Sequence, residues 1–245
     1  MPAEISSTVR AELAPSGKLR VGLNYQNFLL VLKNAPDGSP TGIAPDLARE
    51  LARRAGLPIE FSRYDAAGKL ADAVRAGAWD VAFLGAEPQR ANEIAFSAAY
   101  LEIPVTFLVP AGSPIKTIQD VDRKGVRVAV SEKSAYDLSL TRMLKQAQIV
   151  RAQGIEASFK LFLDQKLEAL GGLKPRLVMD SEELPGSRVL EGQITAVQQS
   201  IGTPKSRSQA AAWLREFVED AKASGLVARI IEKNKVRGVT VAPPG

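Results

Sequence analysis

Apolar residues along the chain fall into short runs and helical stripes that alternate. KLRVGLNY (18–25) is an apolar run that turns polar at its end, as a buried parallel strand does where it meets its loop. APDLARELARRAG then reads as a helix, with Leu47 and Leu51 four apart, Pro45 suited to the first helical position and Gly56 to the exit. IEFSRY (59–64) is the next strand, GKLADAVRAGA the next helix and WDVAFL (79–84) a third strand. Such alternation predicts a parallel sheet with right-handed crossovers. In GAEPQRANEIAFSAAY (85–100) the strand ends, Gly85 turns the chain, Pro88 opens a predicted helix and Arg90 falls on its first turn.

The rhythm then repeats. VTFLVPAGSP (105–114) is a strand running into a Pro/Gly/Ser segment suited to a crossing between lobes. VRVAVS (126–131) is a strand, and SAYDLSLTRMLKQ a helix with Ser134 and Asp137 spaced as a capping box. IVRA, a helix carrying Phe159, Phe162, Leu163 and Leu167, and RLVMD (176–180) complete a second strand-helix-strand set. ITAVQQSIGTP (194–204) is a strand followed by two helices, SQAAAWLREFVEDAKASG and LVARIIEKN, the first striped by Trp213, Phe217 and Ala221. Two α/β units joined by strands near 105–111 and 196–203 predict a hinge. A cleft between lobes so joined is where a small ligand is expected.

Composition removes whole chemistries. The 245 residues are 45% hydrophobic and 24% charged, enough for one large folded domain or two lobes. There is no histidine and no cysteine, which excludes a histidine base, a Ser-His-Asp triad, a thiolate nucleophile, a disulfide and a Cys/His zinc site. An enzyme on this chain would depend on carboxylates, lysine, tyrosine or a carried ligand, and no cofactor or metal is called for. The net charge is +5, yet the eight Lys/Arg and four Asp/Glu of residues 201–238 interleave, as on a solvated helix face and not a nucleic-acid patch. No apolar run approaches the roughly 18 residues needed to span a bilayer. MPAEISSTVRAEL contains Glu4 and lacks an apolar h-region, so it does not read as a secretory signal peptide.

The order VGLNY, TGIAPDLARELARRAGLPIEF, VRAGAWDVAFLGAEPQRANEIAFSAAY and DVDRKGVRVAVSEKS resembles the polar-amino-acid type of bacterial extracellular solute-binding proteins, over roughly residues 17–235. The segment that in this family ordinarily reads G-F-D-V-D-L-A corresponds to Gly42–Ala48, and T-P-E-R-A-K-x-I-D-F-S-x-P-Y to Glu87–Tyr100. The resemblance implies a two-lobed type II periplasmic binding-protein-like α/β fold, each lobe a mainly parallel sheet flanked by helices, joined by two hinge strands. Lobe 1 would comprise 1–109 and 203–245, and lobe 2 110–202.

It also implies a site. Arg90 matches the arginine that pairs bidentately with a ligand's α-carboxylate, and a planar guanidinium beside free backbone donors suits that task. Gly85 stands where a ligand-contacting serine is common. Glu87 replaces the usual hydroxyl, either to balance Arg90 or take an amine, or simply as a first-turn acid favoured by the helix dipole. Ser134 fits the Gly-Thr position of lobe 2 or is a plain N-cap. Asp180, ending RLVMD, falls where a carboxylate receives the ligand's ammonium, or forms a turn. Asn24, Tyr25 and Asn27 follow the first strand, where the family supplies an aromatic wall and a polar contact; Tyr25 equally suits packing. Trp79 is expected to pack under the sheet and Asp80 to close a turn.

The function implied is non-enzymatic binding of a small carboxylate-bearing solute, an amino acid or a related compound, between the lobes. An ABC permease is the partner, the state a monomer and the location the periplasm. Two alternatives are set beside it: a cyclohexadienyl-dehydratase-like enzyme with Glu87 as general acid, and a cytosolic sensor, prompted by the leaderless N-terminus.

Overall fold

The computed structural model describes residues 5–32 and 34–245; Glu4 lies outside them. In chain order the elements are α1 (Ser7–Leu13), β1 (Leu19–Asn24), α2 (Ile43–Ala55), β2 (Ile59–Tyr64), α3 (Ala67–Asp72), β3 (Val81–Gly85) and β4 (Ile94–Val109). They continue with β5 (Arg127–Ser131), α4 (Ala135–Met143), β6 (Gln148–Ala152), α5 (Ile155–Asp164), β7 (Ala169–Leu173), α6 (Lys174–Glu182) and β8 (Arg188–Val189). The chain ends with β9 (Thr195–Pro204), α7 (Ser208–Ala223), α8 (Leu226–Lys233) and β10 (Thr240–Val241). It divides into two compact units, residues 1–102 with 198–245, and residues 103–197. β4 and β9 are the strands that pass from one to the other.

In the first unit the strand order is β2-β1-β3-β9-β4, with β10 on β4. β1 pairs in parallel with β2 from Leu19↔Ile59 to Asn24↔Tyr64 and with β3 on its other side, while β9 runs antiparallel to β3. α3 covers one face, where Leu70, Val74, Trp79, Ala82, Leu84 and Ile94 form a core cluster. Gly22 permits that close approach, since a Cβ there would lie 2.5 Å from Leu70 and 3.2 Å from Trp79. Trp79 is fully buried and donates from Nε1 to the Leu70 carbonyl at 2.9 Å, which satisfies the one polar group it brings inside. α1 lies against α7, and Glu12 accepts from the Ala210 amide at 2.8 Å, meeting one of the unpaired donors that start α7.

Asp80 does more than close a turn. Fully buried, it accepts from the Arg20 backbone at 3.0 Å, from the Arg20 guanidinium at 2.9 and 3.0 Å, and from Arg207 at 2.8 Å. One carboxylate thereby ties β1 to the start of α7 at the entry to β3.

The second unit repeats the winding. Its order is β4-β7-β5-β6, with β8 on β4; β5 is parallel to β6 and β7, and β4 antiparallel to β7. Leu108, Ala129, Phe159, Phe162, Leu167, Leu170 and Leu177 form its core cluster.

Several sequence expectations are corrected. RLVMD is helical, inside α6; the third strand of the set is ALGGL, residues 169–173, whose paired glycines weaken the strand signature. Pro175 opens α6 at a position that needs no N–H, and Val178 and Met179, read as strand residues, are exposed. Arg90 lies in a single 3-10 turn, Arg90–Asn92, because β4 already begins at Ile94 and leaves no room for an α-helix. Pro45 is the third residue of α2, which starts at Ile43 after Gly42. β1, β2, the Gly56 exit at φ 61° and the two C-terminal helices stand as read.

Candidate functional site

In the first unit the chain leaves β1 for β2 on one side and returns to β3 on the other, so the loops leaving β1 and β3 diverge. At such a switch point the carboxyl ends of the strands leave a crevice, the place where open α/β sheets hold ligands. The residues there are Asn24–Asn27 after β1 and Gly85–Arg90 after β3. The second unit has its own switch point, between the ends of β5 and β7, with Ser131–Ser134 on one side and the start of α6 on the other.

Gly85 ends β3 in register with Gln199 of β9, and the Ala86 amide donates to the Gln198 carbonyl at 2.8 Å. The chain then turns back on itself: the Glu87 carbonyl accepts from the amides of Arg90 at 2.9 Å and Ala91 at 3.1 Å. That turn folds the Arg90 side chain inward, where Nη1 donates to the Gly85 carbonyl at 2.7 Å. Arg90 is 7% exposed and Glu87 8%. Burial lowers the Arg90 guanidinium to about 10, while Glu87 and Asp72 pull it the other way, so it remains a cation at neutral pH. A buried cation with a planar fork of donors fits a carboxylate.

The β1 loop is shaped by its asparagines. Asn24 accepts from the Gln26 amide at 3.2 Å and Asn27, 7% exposed, from the Leu29 amide at 3.3 Å, so both carboxamide oxygens hold local turns. Tyr25 is aligned to β2 by its amide, which donates to the Tyr64 carbonyl at 2.9 Å, and its ring lies 4.6 Å from the Arg63 guanidinium.

In the second unit Ser134 is the N-cap of α4 and accepts from the Asp137 amide at 3.0 Å. The box is half formed: Asp137 accepts from the Lys133 amide at 2.8 Å and from Arg151 at 3.0 Å in place of the Ser134 amide. Burial pushes the Tyr136 hydroxyl up to about 12, opposed by its hydrogen bonds with Ser134 and Ser131. Asp180 does not end a strand. It sits within α6, 2% exposed, and accepts from Arg176 one turn earlier at 2.7 Å. Its carboxyl is raised by burial and drawn back by Arg176, whose other partner is Glu156 at 2.5 Å. The surroundings of Asp180 are therefore those of an ion-paired helix residue.

The structure thus draws Gly85, Glu87 and Arg90 into one turn and sets Asn24, Tyr25 and Asn27 on the same sheet edge. Ser134 and Asp180 belong to the other unit. Gln199, opposite Gly85, escaped the sequence reading; its signal was a polar pair, Gln198–Gln199, inside an otherwise buried strand. Among the described residues no group of three or more acidic side chains is placed to hold a metal ion, and no helix is long and apolar enough to cross a membrane.

A model of the bacterial extracellular solute-binding proteins, family 3, matches residues 19–235. Among solved structures, the solute receptor for L-cysteine of Neisseria gonorrhoeae is similar at 20% identity, covering 95% of this chain and 96% of that one, with a TM-score of 0.77. An ancestral amino-acid-binding protein described as a precursor of cyclohexadienyl dehydratase shares 22% identity over 92% of this chain and 98% of that one, TM-score 0.74. An amino-acid ABC-transporter substrate-binding protein of Streptococcus pneumoniae, bound to L-arginine, shares 17% over 97% and 100%, TM-score 0.74. These likenesses show the type II periplasmic binding-protein fold. No curated protein sequence matches the chain.

Proposed function

The chain belongs to the bacterial extracellular solute-binding proteins of family 3, and from that premise we propose that it binds an amino acid or a related small carboxylate and delivers it to an ABC-type importer. The observation that carries this reading is the buried guanidinium of Arg90 at the switch-point edge, held by the Gly85 carbonyl. A fixed fork in a low-dielectric setting recognises a carboxylate through two parallel charge-assisted hydrogen bonds. Glu87, one turn away and equally buried, supplies the opposite charge for an ammonium. Structural relatives are described as binding arginine, lysine and cysteine, a ligand class that fits a site with both charges. In this reading the protein acts outside the cytoplasm as a monomer, with the permease as its macromolecular partner.

The second reading is a dehydratase, with Glu87 as general acid. It is favoured by the burial of that carboxyl group and by the likeness to a dehydratase precursor.

A thermal-shift screen against the twenty amino acids, other carboxylates, prephenate and arogenate tests both. A ligand at a hundred times its Kd stabilises by about 2.7 kcal/mol. An amino acid or other carboxylate that raises the melting temperature of the wild type and not of Arg90→Ala supports the binding reading. An equal rise in both, or none, sinks it. Turnover of prephenate or arogenate by the wild type and not by Glu87→Gln establishes the enzyme.

A further inference from the structure

We infer that Gln199 is a ligand contact: its carboxamide oxygen accepts a hydrogen bond from the ammonium group of an amino-acid solute. The inference rests on the binding reading above. Gln199 is only 4% exposed, and its Oε1 has no hydrogen-bond partner among the described residues. Buried amide oxygens are almost always satisfied, so one left unmade at the edge of a sheet marks a partner still to come. Tyr100 carries a similar unmet oxygen, but its ring is fully buried edge-on to Phe83, inside the core and out of a solute's reach.

The position of Gln199 is what gives its oxygen a use. Along β9 the side chains of Gln199, Ile201 and Thr203 lie on one face, and Ile201 stands opposite Phe83 of β3. In that row the buried Thr203 hydroxyl donates to the Asp80 carbonyl at 3.0 Å and Ile201 is apolar, so the unmet oxygen belongs to Gln199, at the C-terminal edge of the parallel strands. There the directly paired residue is Gly85, which has no side chain to cover the carboxamide. The carbonyl of that same glycine holds Arg90, and Glu87 follows two residues on. A guanidinium bonded to Gly85, a carboxylate two residues beyond it and a carboxamide on the strand residue paired with it are thus all borne by residues at the end of β3. An α-amino acid, whose carboxylate and ammonium share one carbon, presents the complementary pair.

The test compares each amino acid that binds the wild type with its analogue bearing hydrogen in place of the α-ammonium, by calorimetry on the full chain. Gln199→Met, close in volume and unable to accept, is expected to weaken the amino acid about ten- to hundredfold and leave the analogue unchanged. Arg90→Lys is expected to weaken both. Gln199→Glu keeps the shape, guards against a fold defect in the methionine variant, and is expected to favour the amino acid over its analogue more strongly than the wild type does. If Gln199→Met binds both compounds as the wild type does, or loses both equally, or if Gln199→Glu leaves the preference unmoved, the inference is overturned while the binding reading stands. If none of the twenty amino acids binds the wild type, the amino-acid reading fails and this inference with it.

Discussion

Arg90 donates from Nη1 to the Gly85 carbonyl at 2.7 Å, five residues back along the chain. The bond closes the turn that leaves β3 and fixes where the guanidinium points. A cation this buried is costly unless its donors are used, and the bond to Gly85 engages it before any solute arrives. Such pre-organisation reduces what binding must spend on ordering the side chain.

Replacing Arg90 separates charge from geometry. Arg90→Lys keeps a cation but cannot hold the Gly85 carbonyl and present a planar fork together. We expect it to lose about ten- to hundredfold in carboxylate affinity, and Arg90→Ala to lose measurable binding, both by calorimetry. A lysine variant that binds as tightly as the wild type would show that Arg90 acts only through its charge.

Glu87→Gln removes the buried carboxylate three residues before Arg90 while preserving its size. With one of its two acidic neighbours gone, the guanidinium should then favour ligands with more negative charge. Affinity for dicarboxylic amino acids is expected to rise relative to that for cationic ones, and competition between glutamate and arginine for the site would measure it.

Asp80→Asn cuts a buried carboxylate away from Arg20 and Arg207 at once. Breaking such a node costs about 3 kcal/mol, read as a lower urea midpoint with an unchanged slope. Solute affinity should be retained, since the node stands at the opposite end of β3 from Gly85.

Acid should weaken the first unit through two carboxyls that folding depresses. Burial raises the Asp80 carboxyl, but hydrogen bonds from Arg20 and Arg207 outweigh it and hold it below the ordinary range. Arg53 holds Glu50 down at about 2, against burial and with help from Arg54. A carboxyl depressed on folding stabilises the protein fully above its unfolded value, and that stabilisation is lost as pH falls through the folded one. Stability should hold near neutrality and decline from the ordinary carboxylate range, about pH 4 to 5, towards pH 2. Asp80→Asn should show a shallower decline in urea melts at each pH.

Gly42 precedes α2 at φ 125°, and a Cβ there would lie 2.5 Å from the Leu30 carbonyl oxygen and 2.9 Å from the Leu32 nitrogen. Both obstacles are backbone, so they cannot swing aside. Gly42→Ala should cost about 2 kcal/mol or more in thermal unfolding and distort the loop that carries Asn24, Tyr25 and Asn27.

Much of this molecule is written in local pattern. The apolar run places IEFSRY as β2 to the residue, and the glycine after the α2 stripe marks its exit because Gly56 takes the left-handed conformation that ends a helix. The motif around Arg90 is likewise visible as a string of residue types in order. Local pattern fails where apolar residues face solvent, as Val178 and Met179 do on α6, and where a strand carries glycines, as ALGGL does. The tertiary structure decided three further things. Asp180 belongs to Arg176 on a helix, Arg90 turns inward onto Gly85, and Gln199 lies across the sheet from that glycine, more than a hundred residues away in sequence. The first two join residues only four and five apart, yet whether the segment is helix or strand and whether a side chain turns inward is set by burial; the third exists only once distant segments pair.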